Sequence, residues 1–87
     1  MIQIAYHRNF LKSAKKLPKA QQQKLAKLLA VLATNPFHNS LHTKRLTGDL
    51  AGLLSFRITR DWRVIFQFCD PQTIQLLRVK HRKEVYL

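Results

Sequence analysis

The hydrophobic positions of the chain follow a helical period in its first half and a strand-like period in its second half. Residues 2–6 alternate in the manner of a short strand. Between about His7 and Leu17 the hydrophobic residues recur at helical spacing, with the lysines off that stripe. Pro18 interrupts the pattern and suits the first turn of a second helix, which ends before Asn35. The pattern therefore predicts a strand followed by a helical hairpin.

Three strand-like segments occupy the second half of the chain, after a long connection. They are residues 53–59, 63–69 and 73–79, with turns at 60–62 and 70–72. Segments this close along the chain pair as an antiparallel meander. We therefore expect an α+β fold in which a small antiparallel sheet, including the N-terminal strand, carries the helical hairpin on one face. The length of 87 residues predicts a single domain over residues 1–87.

The register of the meander predicts which side chains share a face, because residues paired across strands point the same way. A three-residue first turn gives a purely apolar face, with the pairs Ile58 and Val64, Phe56 and Phe66, and Leu54 and Phe68. A three-residue second turn adds the pairs Phe68 and Ile74, Phe66 and Leu76, and Arg63 and Val79. This register puts Arg57, Arg63 and His81 together on the face away from the helices. It leaves Arg78 on the core face.

Charge is the compositional property that bears most on function. Sixteen lysines and arginines stand against four acids, which gives a formal net charge of +12 and an isoelectric point near 10.8. An isoelectric point above about 9 is typical of domains that bind nucleic acid, because a cationic surface attracts polyanions. A merely solubilising surface is the alternative. An anionic membrane is a weaker one, since the basic residues are not confined to one amphipathic helix.

Other sequence features disfavour several functional classes. Cys69 is the single cysteine, so no disulfide forms within the chain, which suits a reducing cytosol. The longest apolar run is the six residues Leu28–Ala33, against roughly 20 for a membrane span. His38 and His42 are four residues apart, but no nearby acid or thiol completes a metal site. With no signal-peptide pattern at the N-terminus, we expect a soluble, cytoplasmic protein with no metal, no cofactor and no membrane partner.

Basic residues, a histidine and a tyrosine are concentrated in residues 78–86. RNA cleavage needs little from a protein, because the 2′-hydroxyl of the RNA attacks its own neighbouring phosphate. The protein has to stabilise the developing charge, which arginine does, and to move protons, which histidine or tyrosine does. Trp62 in its turn either stacks on a base or packs in the core. Composition leaves open whether this segment cleaves RNA or only grips phosphate.

Four segments in this order resemble the RelE-type toxins of type II toxin–antitoxin modules, in the RelE/ParE superfamily. They are Lys44–Gly52, Phe56–Ile58, Asp61–Phe66 and Arg78–Tyr86, and the resemblance extends over essentially the whole chain. It implies a ribosome-dependent messenger-RNA endonuclease, an mRNA interferase that cleaves mRNA in the A site and inhibits translation without a metal. It also implies an acidic antitoxin protein as partner, with a toxin that is monomeric outside that complex.

The resemblance further implies roles for individual residues. Arg63 matches the arginine assigned to phosphate stabilisation, and Arg57 a basic or histidine position on the preceding strand. His81 corresponds to the catalytic histidine of the YafQ-like and YoeB-like branches, and Tyr86 to the C-terminal tyrosine of RelE. Lys44 falls near a basic or histidine position that some members use in catalysis. The general base stays open, with His81 as the first choice, Lys44 as the second and Tyr86 as a possible acid or stacking residue. The other residues expected to bind RNA are Arg45, Asp61, Trp62, Lys80, Arg82 and Lys83.

Two further functions stay open on the same fold. One is a ParE-type inhibitor of DNA gyrase, whose members generally lack the set of catalytic basic, histidine and tyrosine residues. The other is an RNA-binding module without catalytic activity, whose binding would depend steeply on salt.

Overall fold

The structure, a computed structural model, describes the backbone of residues 1–85 and the side chains of residues 1–83. Its elements are β1 (Gln3–Tyr6), α1 (Arg8–Lys15), α2 (Lys19–Thr34), β2 (Lys44–Arg45), β3 (Leu54–Arg57), β4 (Trp62–Asp70), β5 (Thr73–His81) and the short α3 (Arg82–Val85). Two 3₁₀ turns, Asn39–Leu41 and Gly48–Leu50, lie between α2 and β3. Within this part of the chain, no helix is both long and apolar enough to cross a membrane.

The predicted helical hairpin is confirmed, and a few side-chain contacts explain where its helices begin and join. His7 caps α1, because its Nδ1 accepts a hydrogen bond of 3.0 Å from the backbone N–H of Asn9. The side-chain amide of Gln22 in α2 donates to the carbonyl of Leu17 at 2.8 Å and to that of Lys15 at 3.2 Å. Gln22 thereby links the second helix to the end of the first.

The sheet has five strands in the order β1-β5-β4-β3-β2. β3, β4 and β5 form the predicted antiparallel meander, whereas β1 pairs in parallel with β5. The α+β class is confirmed, but the sheet is mixed instead of antiparallel, and β2 is a strand that the pattern did not predict. The alternation of residues 2–6 predicts a strand without specifying the direction of its partner. The long connection from β1 to β5 allows the parallel pairing.

Two clusters of hydrophobic residues cover the two faces of the sheet unequally. The main core lies between the sheet and the helices and contains Leu32, Leu41, Phe56, Ile58, Val64, Phe66, Ile74 and Leu76 as its largest fully buried apolar side chains. On the opposite face, called the outer face below, Leu46 and Ile65 are buried, with Leu50, Leu53 and Leu77 packed against them. The connection from β2 to β3 therefore covers part of the outer face.

The pairing of β3 with β4 differs from the predicted register by two residues. Phe56 lies opposite Val64 instead of Phe66. The turn comes one residue earlier than predicted, because the N–H of Ile58 already binds the carbonyl of Trp62 at 2.9 Å. A shift of two residues preserves the face of every side chain, so the predicted faces of these two strands are confirmed.

A β-bulge in β5 has a larger effect on the predicted faces. Phe66 and Phe68 keep their predicted partners in β5, although a second irregularity pairs Asp70 with Thr73 and shortens the predicted turn 70–72 to two residues. Further along, Ile65 lies opposite Arg78, which makes Leu77 one extra residue. Beyond the bulge every residue of β5 changes face relative to the prediction. Val79 is buried opposite Val64, not opposite Arg63 as predicted, and Arg78 is exposed on the outer face instead of lying in the core.

Ser13 of α1 binds the edge of β5 where β1 has ended. The last parallel contact of β1 is a bond from the N–H of His7 to the carbonyl of Leu76 at 2.9 Å. Three residues further along β5, the N–H of Val79 donates to Ser13 Oγ at 2.8 Å. The helix thus satisfies an edge donor that the neighbouring strand does not reach.

We expect the substitution Ser13→Ala to lower the free energy of unfolding by about 1 kcal/mol, because it leaves the Val79 N–H without its acceptor in a partly buried position. Urea or thermal denaturation measures the difference. The control is Thr47→Ala, since Thr47 is exposed and makes no capping hydrogen bond. Equal stability of the two variants would show that this edge bond contributes nothing.

Candidate functional site

Three cationic residues lie directly opposite one another on neighbouring strands of the outer face. Arg57 of β3 pairs with Arg63 of β4, and Arg63 pairs with Lys80 of β5. We call these three residues the cation row. Neighbouring strands lie about 4.8 Å apart, so the row extends over about 10 Å. Like charges directly opposite each other destabilise a sheet, and the row is therefore a candidate binding site for an anion.

Burial makes the charges of the cation row costly to the fold. Arg63 exposes 8% of its surface, and Arg57 is half-buried. The Nε of Arg57 is buried, and within the described part of the chain it has no hydrogen-bond acceptor. A buried donor in this state costs free energy that an incoming acceptor recovers. Phosphate oxygens are such acceptors, and guanidinium groups bind them through two parallel hydrogen bonds.

A second set of paired residues runs beside the cation row on the outer face. Lys44 pairs with Ser55, Ser55 with Ile65, and Ile65 with Arg78. The two middle residues are buried, whereas Lys44 and Arg78 at the ends are exposed. The outer face therefore carries two further cations beside the row. Lys44 lies on the face where the sequence placed the catalytic groups, and Arg78 is a member of the site that the predicted register missed.

His81 lies on the opposite face of the sheet from the cation row, so its predicted place beside Arg57 and Arg63 is wrong. The bulge turns His81 toward its partner Trp62, and their rings meet edge-on with centroids 5.2 Å apart. Lys80 occupies the place predicted for His81. The backbone N–H of Lys83 donates to His81 Nδ1 at 3.3 Å, which favours a proton on Nε2 in the neutral ring.

The end of the sheet is stabilised by contacts of Asp61, Trp62 and Arg82. The N–H of Arg82 donates to the carbonyl of Asp61 at 2.7 Å, and the Nε of Arg82 lies 3.6 Å from the Asp61 carboxylate. This ion pair is largely exposed and contributes little to stability. Trp62 is half-buried and packs against the main core, which is the packing alternative stated for it. Binding of RNA by these three residues stays a prediction.

The remaining predicted residues lie apart from the cation row or outside the described structure. Arg45 pairs with Leu54, a core residue, and its guanidinium lies 5.6 Å from the centre of the Phe37 ring. Lys83 is exposed in α3. Tyr86 lies outside the described residues, so its catalytic role stays a prediction.

Comparison with known proteins identifies the family to which the chain belongs. A family model described as the ParE toxin of type II toxin–antitoxin systems matches residues 4–86. No curated protein matches the sequence significantly. The chain belongs to this ParE toxin family and is thus a type II toxin of the RelE/ParE superfamily, as the sequence resemblance implied.

Solved structures of toxins from the same superfamily share the fold over nearly their whole length. YafQ from E. coli superposes with a TM-score of 0.79 at 20% identity, and all of both chains is covered. The RelBE2 toxin–antitoxin complex from Mycobacterium tuberculosis gives 0.77 at 24% identity, covering 93% of this chain and 98% of the other. The RelE–RelB complex from Pyrococcus horikoshii gives 0.76 at 24% identity, covering 93% and 94%. Identities this low show a common fold.

We expect the substitution Arg57→Met to raise the free energy of unfolding by about 0.2–1 kcal/mol, because it removes one of two like charges that lie directly opposite each other. The methionine keeps the apolar stem of the side chain. Arg60→Met removes the same charge from an exposed turn and serves as the control. Denaturation of both variants at low salt measures the effect, and a loss of stability specific to Arg57→Met would contradict it.

Proposed function

We propose that this toxin inhibits translation as a ribosome-dependent endonuclease that cuts mRNA in the A site. The observation that carries the proposal is the cation row, with its partly buried guanidinium groups. Three cations lie directly opposite one another on one face of the sheet, an arrangement that generally destabilises a sheet. Selection for binding a phosphodiester gives a physical reason for such a cost.

The proposed reaction uses the RNA's own nucleophile. The 2′-oxygen attacks the adjacent phosphorus, the bond from phosphorus to the 5′-oxygen breaks, and the products are a 2′,3′-cyclic phosphate and a 5′-hydroxyl. Arg57 and Arg63 hold the non-bridging oxygens and stabilise the charge that grows on them. Lys80 extends this set of donors to the third strand. The chemistry needs no metal ion.

Two proton transfers accompany the reaction, one from the 2′-hydroxyl and one to the leaving 5′-oxygen. Lys44 shares the outer face with the cation row, whereas His81 faces Trp62 on the other side. This arrangement favours Lys44 for the transfer at the 2′-hydroxyl. His81, at the end of β5, and Tyr86 remain candidates for the leaving group. The variant Lys44→Met removes the group proposed for the transfer at the 2′-hydroxyl, and His81→Gln removes one candidate for the transfer to the leaving group.

An acidic antitoxin is the proposed protein partner. Two of the three similar structures described above are complexes of a toxin with its antitoxin. At a net charge of +12 the free toxin would bind RNA indiscriminately. An acidic protein on the outer face would neutralise this charge and block the cation row in one step.

Inhibition of DNA gyrase is the second candidate function. It is favoured by the description of the matching family model, which names a ParE toxin. A gyrase inhibitor is a binding protein and has no need of a phosphate site with buried guanidinium groups. The two functions also damage different polymers, which makes them separable in cells.

We expect a brief pulse of expression to produce new mRNA 5′ ends in phase with codons, detected by 5′-end mapping and absent when translation is blocked. Arg57→Ala should reduce cleavage by about 10²-fold or more, as removal of one preorganised donor does. Arg60→Ala removes an equal charge from the exposed turn and should cleave as the parent does.

Intact mRNA together with induction of the DNA-damage response would overturn the nuclease proposal in favour of gyrase inhibition. Undiminished cleavage by Arg57→Ala would instead remove the cation row from the mechanism. Salt-dependent RNA binding with neither cleavage nor DNA damage would identify a binding module.

A further inference from the structure

A cationic groove lies between α1 and β5, at one edge of the sheet. It has a volume of about 300 Å³ and is lined by Asn9, Lys12, Ser13, Lys16, Arg78, Val79 and Lys80. Four of these seven residues are cationic and none is acidic. Apart from Val79, the lining consists of cationic and polar side chains.

The groove exists because β1 is shorter than β5. β1 pairs with β5 only as far as Tyr6 opposite Leu76, so α1 takes the next position along that edge. Ser13 anchors the helix there through the hydrogen bond from Val79 N–H. The bulge at Leu77 then turns Arg78 away from the core. The basic lining therefore depends on the same irregularity that displaces His81.

The groove is continuous with the cation row through Lys80. This residue lines the groove and also pairs with Arg63 on the outer face. Arg78, two residues earlier in β5, lies about 7 Å away along the strand. Cations therefore continue from Arg57 across the sheet and over its edge to Lys12 and Lys16.

We propose that this groove is a second phosphate site, which holds the backbone of the RNA strand where it leaves the cation row. This inference rests on the proposed function, which brings the RNA strand to the cation row. In the groove, the ammonium groups of Lys12 and Lys16 and the guanidinium of Arg78 contact backbone phosphate. The side-chain amide of Asn9 donates hydrogen bonds to phosphate oxygens or accepts one from a sugar hydroxyl. These contacts carry no base specificity and set the register of the strand.

The chemistry of the lining favours a nucleic-acid backbone over a peptide. A docked protein segment is recognised through pockets for apolar side chains, together with backbone hydrogen bonds. The described lining has one apolar residue, Val79, which is buried. An acidic antitoxin segment in the groove is therefore the competing outcome of the test.

Binding of single-stranded RNA with 2′-O-methyl groups tests the proposal, because the blocked 2′-oxygen prevents cleavage. For single strands the slope of log affinity against log salt concentration changes by about 0.7 for each phosphate contact. The full-length double variant Lys12→Ala/Lys16→Ala should have a slope about 1.4 smaller in magnitude than the parent. Lys24→Ala/Lys27→Ala removes the same charge from exposed positions of α2 and should leave the slope unchanged. Thermal denaturation confirms that both variants are folded.

Identical slopes for the two double variants would overturn the groove site, and so would a groove variant that loses affinity for a polyglutamate peptide alone. Failure of the groove site and failure of the nuclease proposal give different results. A changed slope in a protein that never cleaves mRNA would retain the groove and reject the cleavage. Codon-phased cleavage with unchanged slopes would support the nuclease proposal and reject the groove site.

Discussion

The pairing of β4 with β5 is the constraint on which the rest of the structure depends. These are the two longest strands, and β5 lies between β4 and β1, so that the N-terminal strand and α1 are placed through it. The extra residue at Leu77 allows two demands to be met in one strand. Val79 enters the core, and Arg78 and Lys80 point away from it. Without the bulge, an arginine would be buried among apolar side chains at a large cost in free energy.

The same irregularity links the core to the cationic surface. It aligns Lys80 with Arg57 and Arg63, and it opens the groove beside α1 through the bond between Ser13 and Val79. The outer face combines this charge with a small apolar cluster around Ile65 that is covered by the connection before β3. The outer face therefore buries apolar side chains, which stabilises the fold, and also carries the cation row. The apolar cluster lies beside the cation row, in which Arg63 is buried and Arg57 is half-buried.

The sequence predicted the positions of the helices and strands better than it predicted which residues pair across the sheet. The helical spacing before Pro18 and the alternation of the last three strands are local signals, and both correspond to elements of the structure. A two-residue error in the predicted β3–β4 register left every predicted face correct, because side chains alternate with a period of two. The single-residue bulge reversed the faces of His81 and Arg78. The sequence contained one indication of the bulge: the regular register put Arg78 on the core face, where a charged group is costly to bury.

The sequence by itself determined the class of protein, the α+β elements and the excess of positive charge, since these follow from local periodicity, composition and family motifs. It also predicted that Arg57 and Arg63 lie on one face, because a register error of two residues leaves the faces of alternating side chains unchanged. The tertiary structure decided that β1 runs parallel to β5, that Lys80 completes the row, and that α1 forms a groove with β5. These features depend on contacts between residues distant along the chain. No local pattern encodes them, because the bulge and the edge bond exist only when α1, β4 and β5 are packed together.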